Sequence, residues 1–244
     1  MNRTVIAAKL IQIIALPFLV FTLTQCTTVG FHSDSVRESI DFGPQVSFQV
    51  CTFHEDGFDT NEIKEIFSYW NEELSLYKLQ AIQSRTTLLE RPGFYGTDIL
   101  YYLYSIPLTK QCDRILYLKG RNWKDLVFEF FTLGLFAGSG LKLEVQGAVE
   151  THTNTRGYIK GKYISTLQVL FTSPKSTLVH EGYHLLGCGH QLFMDDCYKQ
   201  IARLKELKSK EETEKGFLPG LTTKGESFLE RRLVDSVFNL PIKD

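Results

Sequence analysis

The sequence predicts an α+β domain with a mixed sheet in its first part and a mainly helical C-terminal part. Three observations lead to this fold class. Strand-like segments alternate with amphipathic helical segments along most of the chain, the segment after Met194 has helical periodicity, and 244 residues with 43% hydrophobic content are sufficient for one core. We expect a cleft between the sheet-bearing half and the C-terminal half.

The N-terminus has the pattern of a secretory leader. Basic residues flank the beginning of a largely apolar run, residues 10–23, and Cys26 follows it closely. The sequence Leu-Thr-Gln-Cys at 23–26 resembles the lipobox of bacterial lipoproteins, in which the cysteine becomes the acylated first residue, although Gln25 replaces the usual small residue. We predict a signal peptide at 1–25 and lipidation of Cys26. An uncleaved membrane anchor and an ordinary cleaved signal are the alternatives.

Composition sets the remaining boundaries and excludes one class of partner. Residues 26–44 form a short polar segment, which is typical of a tether. Residues 45–244 form the predicted domain. The formal net charge is −1 and there is no long basic block, so we expect no nucleic-acid partner. We expect a monomer in the cell envelope, anchored to a membrane and either periplasmic or at the cell surface.

The domain is predicted to begin with a strand and a helix. Residues 45–53 alternate apolar and polar side chains, as a half-buried strand does. Asp59 and Glu62 have the spacing of a helix capping box. The helix that follows has one apolar face, formed by Ile63, Phe67, Trp70, Leu74 and Tyr77.

The rest of the domain is assigned from the same patterns. Residues 98–106 fit either a short helix or a buried strand, and residues 123–135 fit a helix or a packed insertion. A helix is predicted after Met194 and another from Thr223 onward, with Phe228 on its inner face. The predicted strands are 79–89, 113–119, 141–149 and 158–171.

One more helix is predicted immediately after the last of these strands. Ser173 suits the N-cap position and Pro174 the first helical position. Gly187 can adopt a positive φ, end this helix and fold the chain back.

This helix carries the most informative chemical pattern in the chain. His180 and His184 are four residues apart, so their imidazoles lie on the same helical face and can bind one metal ion. His190 can return as third ligand after the turn. Three histidines with a fourth position open to water describe a catalytic zinc site, and Glu181 would lie beside that position as general base. The implied reaction is amide hydrolysis by a metal-activated water.

The pattern H-E-x-x-H-x-x-G-x-x-H at 180–190 resembles the metzincin clan of zinc endopeptidases. The resemblance implies a zincin-like fold: a twisted mixed sheet with an antiparallel edge strand, an active-site helix and a C-terminal helical subdomain. It makes 141–149 a candidate substrate-binding edge strand, with an ordinary surface strand as the alternative. It also makes Met194 the candidate for the methionine turn and Tyr198 a candidate stabiliser of the transition state. Metzincins usually have a small residue before the second histidine, whereas this chain has Gly182 followed by Tyr183.

The cysteines predict disulfides. Apart from Cys26 there are four, an even number in a chain predicted to be exported. We favour Cys51 with Cys112, on two strand-like segments, and Cys188 with Cys197, which would close a short loop around the third histidine. Free buried thiols are the alternative.

These features together predict an exported, membrane-anchored endopeptidase with one catalytic zinc ion and a protein or peptide substrate. One alternative is a non-catalytic surface lipoprotein whose zinc-stabilised, protease-like fold binds a protein partner. The presence of Glu181 argues against it, because a binding protein has no need of a base beside the metal. A second alternative is a hydrolase of peptidoglycan peptides or other amides. Cobalt or manganese can occupy such a site, but imidazole ligands favour zinc.

Overall fold

The structure, a computed structural model, describes residues 28–109, 111–123, 125, 127, 146–162, 173–210, 220–221 and 227–228. Within these residues the chain is α+β, as predicted, with a mixed five-stranded sheet, a two-stranded sheet and five helices. In chain order the elements are α1 (Asp34–Ser39), β1 (Val46–His54), α2 (Thr60–Ser75), β2 (Leu79–Leu88), α3 (Gly96–Tyr104), β3 (Arg114–Lys119), β4 (Gly147–Val149), β5 (Arg156–Lys160), α4 (Pro174–Leu185), α5 (Asp195–Lys210), β6 (Gly220–Leu221) and β7 (Ser227–Phe228).

The main sheet has the strand order β2-β1-β3-β5-β4. The first four strands in this order are parallel, and only β4, at the edge, runs antiparallel to its neighbour β5. The central strand β3 is buried along its whole length, as expected of a parallel strand that is covered on both faces. The β4 strand is the end of the predicted segment 141–149, whose first five residues lie outside the described residues.

Helices cover both faces of the sheet. On one face, α2 and α4 pack over the sheet, and Trp70 and Leu178 belong to the same core as the inward-facing Phe48 of β1. On the other face, α3 packs through Ile99 and Leu103 against a core that includes alternate residues of β3 and Tyr158 of β5. The segment 98–106, for which two assignments were open, is therefore mainly helical. Alternation along β3 divides its side chains between the two cores.

The local signals for α2 are confirmed. The Asp59 side chain accepts hydrogen bonds from the backbone of Asn61 and Glu62, and the Glu62 side chain accepts one from the Asp59 backbone. This capping box satisfies amide groups that have no partner inside the helix. The apolar face also includes Ile66, which the predicted set omitted.

The prediction that residues 26–44 are a polar tether is corrected for its described part. Residues 28–31 run beside 191–194 and exchange backbone hydrogen bonds with them, α1 follows, and Phe42 is buried. Backbone groups that leave water need partners, and here a distant segment of the chain supplies them. Composition alone does not reveal such pairing.

The C-terminal predictions are only partly covered. The helix after Met194 is confirmed as α5. Ser227–Phe228 pair with Gly220–Leu221 as two short strands, so Phe228 is not in a helix as predicted. The remainder of that helix, most of 123–135 and the predicted strand residues 163–171 lie outside the described residues. No helix in the described part of the chain is long and apolar enough to cross a membrane.

Two disulfides connect elements as predicted. Cys51 of β1 is bonded to Cys112, with Cα atoms 5.3 Å apart. Cys188 is bonded to Cys197 of α5, with Cα atoms 5.0 Å apart. Two disulfides indicate an oxidising, exported location.

Candidate metal centre

Helix α4 begins and ends as its sequence predicts. The Ser173 hydroxyl accepts a hydrogen bond from the Ser176 backbone, and Pro174 occupies the first turn. The helix ends at Leu185, and Gly187 has a φ of 83°, a value that favours glycine. The chain then reverses, and the Cys188–Cys197 disulfide ties the returning segment to α5.

The reversal brings His180, His184 and His190 together. The ring centroids are 5.1 Å apart for the two helical histidines, and His190 lies 4.9 Å from His180 and 4.8 Å from His184. One ligand atom of each histidine lies within 4.8 Å of the other two. Two nitrogens bound tetrahedrally to one zinc at about 2.1 Å would lie about 3.4 Å apart, so the three rings could hold a metal ion once they move closer together. No other group of this kind occurs among the described residues.

Backbone carbonyls orient two of the three imidazoles. Nδ1 of His184 lies 2.7 Å from the Cys188 carbonyl, and Nδ1 of His180 lies 3.3 Å from the Thr28 carbonyl. A carbonyl oxygen only accepts, so the ring proton of each histidine is on Nδ1 and the Nε2 lone pair is available to a metal ion. Such outer partners are typical of metal-binding histidines. The carbonyl partner from Thr28 could not be foreseen, because it lies in the segment predicted to be a tether.

The electrostatics of the site also suit a cation. Burial, together with the neighbouring His184 and His190, lowers the pKa of His180 to about 4. Burial likewise lowers the pKa of His184. Both imidazoles are therefore neutral at neutral pH, which is the form that binds metals.

Glu181 lies beside the histidines and against the edge strand. Its side chain is only 6% exposed, and burial alone raises its carboxyl pKa to about 8, which a bound cation would lower. A Cβ on Gly147 of β4 would lie 2.6 Å from the Glu181 Cγ and 2.9 Å from its Oε1. Because Gly147 has no side chain, the glutamate can occupy this space. Sequence analysis did not identify Gly147, because its only signal is a glycine within the strand-like segment 141–149.

The structure explains the order of Gly182 and Tyr183. A Cβ on Gly182 would lie 2.2 Å from the indole nitrogen of Trp70, so the glycine permits close packing of α4 on α2. The Tyr183 hydroxyl lies 2.7 Å from that of Tyr77 and donates to Glu73. Both residues of this dipeptide therefore serve the packing of α4 against α2.

A polar network extends from Glu73 to the N-terminal segment. His32 Nε2 lies 3.1 Å from Glu73, and its Nδ1 lies 2.8 Å from the Tyr198 hydroxyl. Although burial raises the pKa of Glu73, the hydrogen bonds from His32 and Tyr183 bring it below its usual value. The network fastens the segment that begins at Thr28.

Two candidates from the sequence have a defined place but an untested role. Met194 is fully buried in the same core as Leu178 and Tyr183 of the metal helix, and its role as the methionine turn stays a prediction. The Tyr198 hydroxyl bonds with His32 and accepts a hydrogen bond from the Ser33 backbone. Its role in stabilising a transition state stays a prediction.

Comparisons with known proteins add nothing to this geometry, because no protein-family model matches the chain and no curated protein is detectably similar to it.

Proposed function

We propose that this protein is an exported, membrane-anchored zinc endopeptidase of the metzincin type. The observation that carries the proposal is the convergence of three imidazoles, two of them oriented by backbone carbonyls, beside the buried carboxyl of Glu181. Histidine ligands with a nearby unliganded carboxyl are typical of catalytic zinc sites, whereas structural sites are usually closed by a fourth protein ligand.

His180, His184 and His190 would hold the zinc ion. When bound, zinc supplies Lewis-acid chemistry that polarises the scissile carbonyl and makes the attacking water more acidic. The Glu181 carboxylate accepts the proton of that water and then donates it to the leaving amine. Burial raises the pKa of Glu181 to about 8 and a bound cation would lower it, so the group could both accept and release a proton near neutral pH.

The edge strand offers a way to hold the substrate. The β4 strand is at the edge of the described sheet, and α4 packs against it. An extended peptide that pairs with the side of β4 that faces no other described strand would present its backbone to Glu181, which touches Gly147. A sheet with a single antiparallel edge strand next to the metal helix supports the metzincin assignment.

The test is cleavage of an unbiased peptide mixture by the full chain in detergent, with zinc content measured for each sample. The variants are Glu181→Gln and, as a matched control, Glu65→Gln at an exposed position. We expect the wild type and the control to cleave, and Glu181→Gln to lose about 10²- to 10⁴-fold in rate at equal zinc loading. Unchanged cleavage by Glu181→Gln would contradict the mechanism.

The same experiment separates the alternatives. If no sample cleaves although zinc is fully bound, the function is binding or the hydrolysis of another amide. Peptidoglycan fragments assayed in parallel distinguish these two outcomes. Loading with cobalt or manganese in place of zinc shows which metal supports the fastest turnover.

A further inference from the structure

An apolar patch lies next to the metal-binding loop. We use the term apolar patch for the side chains of Phe31, Leu192 and Phe193, which are 43%, 69% and 53% exposed. The two phenylalanine rings are 6.5 Å apart. Single exposed apolar residues are ordinary, but clustered ones commonly mark a contact surface. Leu192 is two residues beyond the ligand His190, so the patch adjoins the metal centre.

The backbone that carries the patch is held firmly. The amide of Phe31 donates to Leu192 O at 2.9 Å, and the amide of Met194 donates to Phe31 O at 3.0 Å. Phe31 and Phe193 also form an isolated parallel bridge. The patch is therefore part of the folded domain, although its residues come from two distant segments.

The same N-terminal segment connects the patch to the predicted membrane anchor. Cys26 precedes Thr28 by two residues and Phe31 by five, and it follows the apolar run 10–23. Because a residue extends the chain by at most about 3.6 Å, the two residues from Cys26 to Thr28 can span at most roughly 7 Å and the five to Phe31 at most roughly 18 Å. Thr28 in turn accepts the hydrogen bond of the ligand His180. An anchor near Cys26 would therefore hold the metal centre close to the lipid surface.

We propose that the apolar patch rests on the lipid surface of the membrane to which the chain is anchored, and that the metal centre opens at the membrane–water interface. The substrates would then be membrane-proximal, extended segments of proteins held in the same membrane. The statement about substrates rests on the proposed peptidase function, and the contact of the patch with lipid rests on the proposed membrane anchor. Aromatic and aliphatic side chains at the edge of a domain suit this interface.

Contact with lipid is tested by tryptophan quenching in the full chain. The protein is reconstituted in phosphatidylcholine vesicles with brominated acyl chains, and a tryptophan is introduced by Leu192→Trp in a Trp123→Phe background. The emission of the buried Trp70, measured in that background alone, is subtracted. Leu88→Trp is the matched control, because Leu88 is 62% exposed and lies at the end of β2. We expect roughly twofold or stronger quenching at 192 and none at 88. No quenching at 192, or equal quenching at both positions, would overturn the proposal.

The consequence for the substrate is tested with one peptide in two forms, attached to the vesicle lipid and free in solution. The variant Phe31→Ser/Leu192→Ser/Phe193→Ser is compared with Leu88→Ser/Tyr101→Ser/Trp123→Ser, which removes three other exposed apolar side chains. We expect the first variant to lose roughly tenfold in cleavage of the attached peptide and to retain cleavage of the free one. Equal loss on both forms would show that the patch binds substrate, and dimerisation that the variant abolishes would show that it binds a second copy.

These results remain distinguishable from failure of the proposed function. If the wild type cleaves neither form of the peptide, the peptidase proposal fails, while the quenching measurement still decides whether the patch contacts lipid.

Discussion

Gly147 provides a specific test of where Glu181 must lie. In Gly147→Ala, the new Cβ would lie 2.6 Å from the Glu181 Cγ and 2.9 Å from its Oε1. Carbon atoms in ordinary contact are about 3.5–4.0 Å apart, so the glutamate or β4 must move by about 1 Å. The glutamate is buried and has little free space for this shift.

This displacement should affect the rate of catalysis more than the free energy of unfolding. A displacement of about 1 Å in a catalytic group can cost about 10²-fold in rate. Overpacking at such a position costs about 1–3 kcal/mol in the free energy of unfolding, which a folded domain can tolerate. The three atoms nearest to the added methyl group all belong to Glu181, so zinc binding by the histidines is expected to persist.

The assay is kcat/KM on a cleaved peptide, with zinc content and the free energy of unfolding measured for each variant. Gly189→Ala is the control, because a Cβ at Gly189 meets nothing within 4 Å. We expect about 10²-fold loss for Gly147→Ala and near wild-type activity for Gly189→Ala. A folded, zinc-loaded Gly147→Ala protein with full activity would refute the reasoning that Glu181 acts from its position against β4.

Three further predictions concern stability. Loss of the Cys51–Cys112 disulfide, which spans 61 residues, should lower the free energy of unfolding by about 4 kcal/mol. Loss of Cys188–Cys197, which spans 9 residues, should lower it by about 3 kcal/mol. The reverse order in denaturant unfolding would contradict this prediction. Burial lowers the pKa of Lys205 to about 8, so between pH 8 and 10.5 the unfolded chain binds more protons than the folded chain. As the pH rises through this range, the wild type should therefore gain stability relative to Lys205→Met. A stability difference that does not change with pH would contradict the lowered pKa. Chelation should lower the melting temperature of the wild type, because the protein loses the free energy of zinc binding, about 4 kcal/mol where free zinc was 1,000-fold above its Kd. The melting temperature of His190→Ala should not change.

The features that sequence analysis predicted are those encoded by nearby residues. The capping box at Asp59 and the proline start of α4 involve residues within one helical turn. The spacing of His180 and His184 fixes their common face once the helix is known, and the positive φ of Gly187 returns His190 to them. Periodicity identified β1, β2 and β3 because the sheet buries their apolar side chains.

The features that sequence analysis missed depend on residues far apart in the chain. The packing of Thr28 against His180 joins positions separated by 152 residues, and no local pattern marks a carbonyl as a histidine's partner. The fit of Glu181 against Gly147 and the hydrogen bond from Tyr183 to Glu73 likewise arise only when α4 packs on β4 and α2. Polar composition suggested a tether at 26–44, whereas backbone pairing incorporates its described part into the domain.

The most direct test of the central claim is X-ray absorption spectroscopy of the zinc-loaded full chain, with the metal content of the same sample. We predict one zinc ion per chain, bound by three imidazole nitrogens at about 2.0–2.1 Å and one further light atom, with loss of the ion in His190→Ala. A site closed by a fourth protein ligand, or a wild-type chain that binds no zinc, would contradict the proposed catalytic centre.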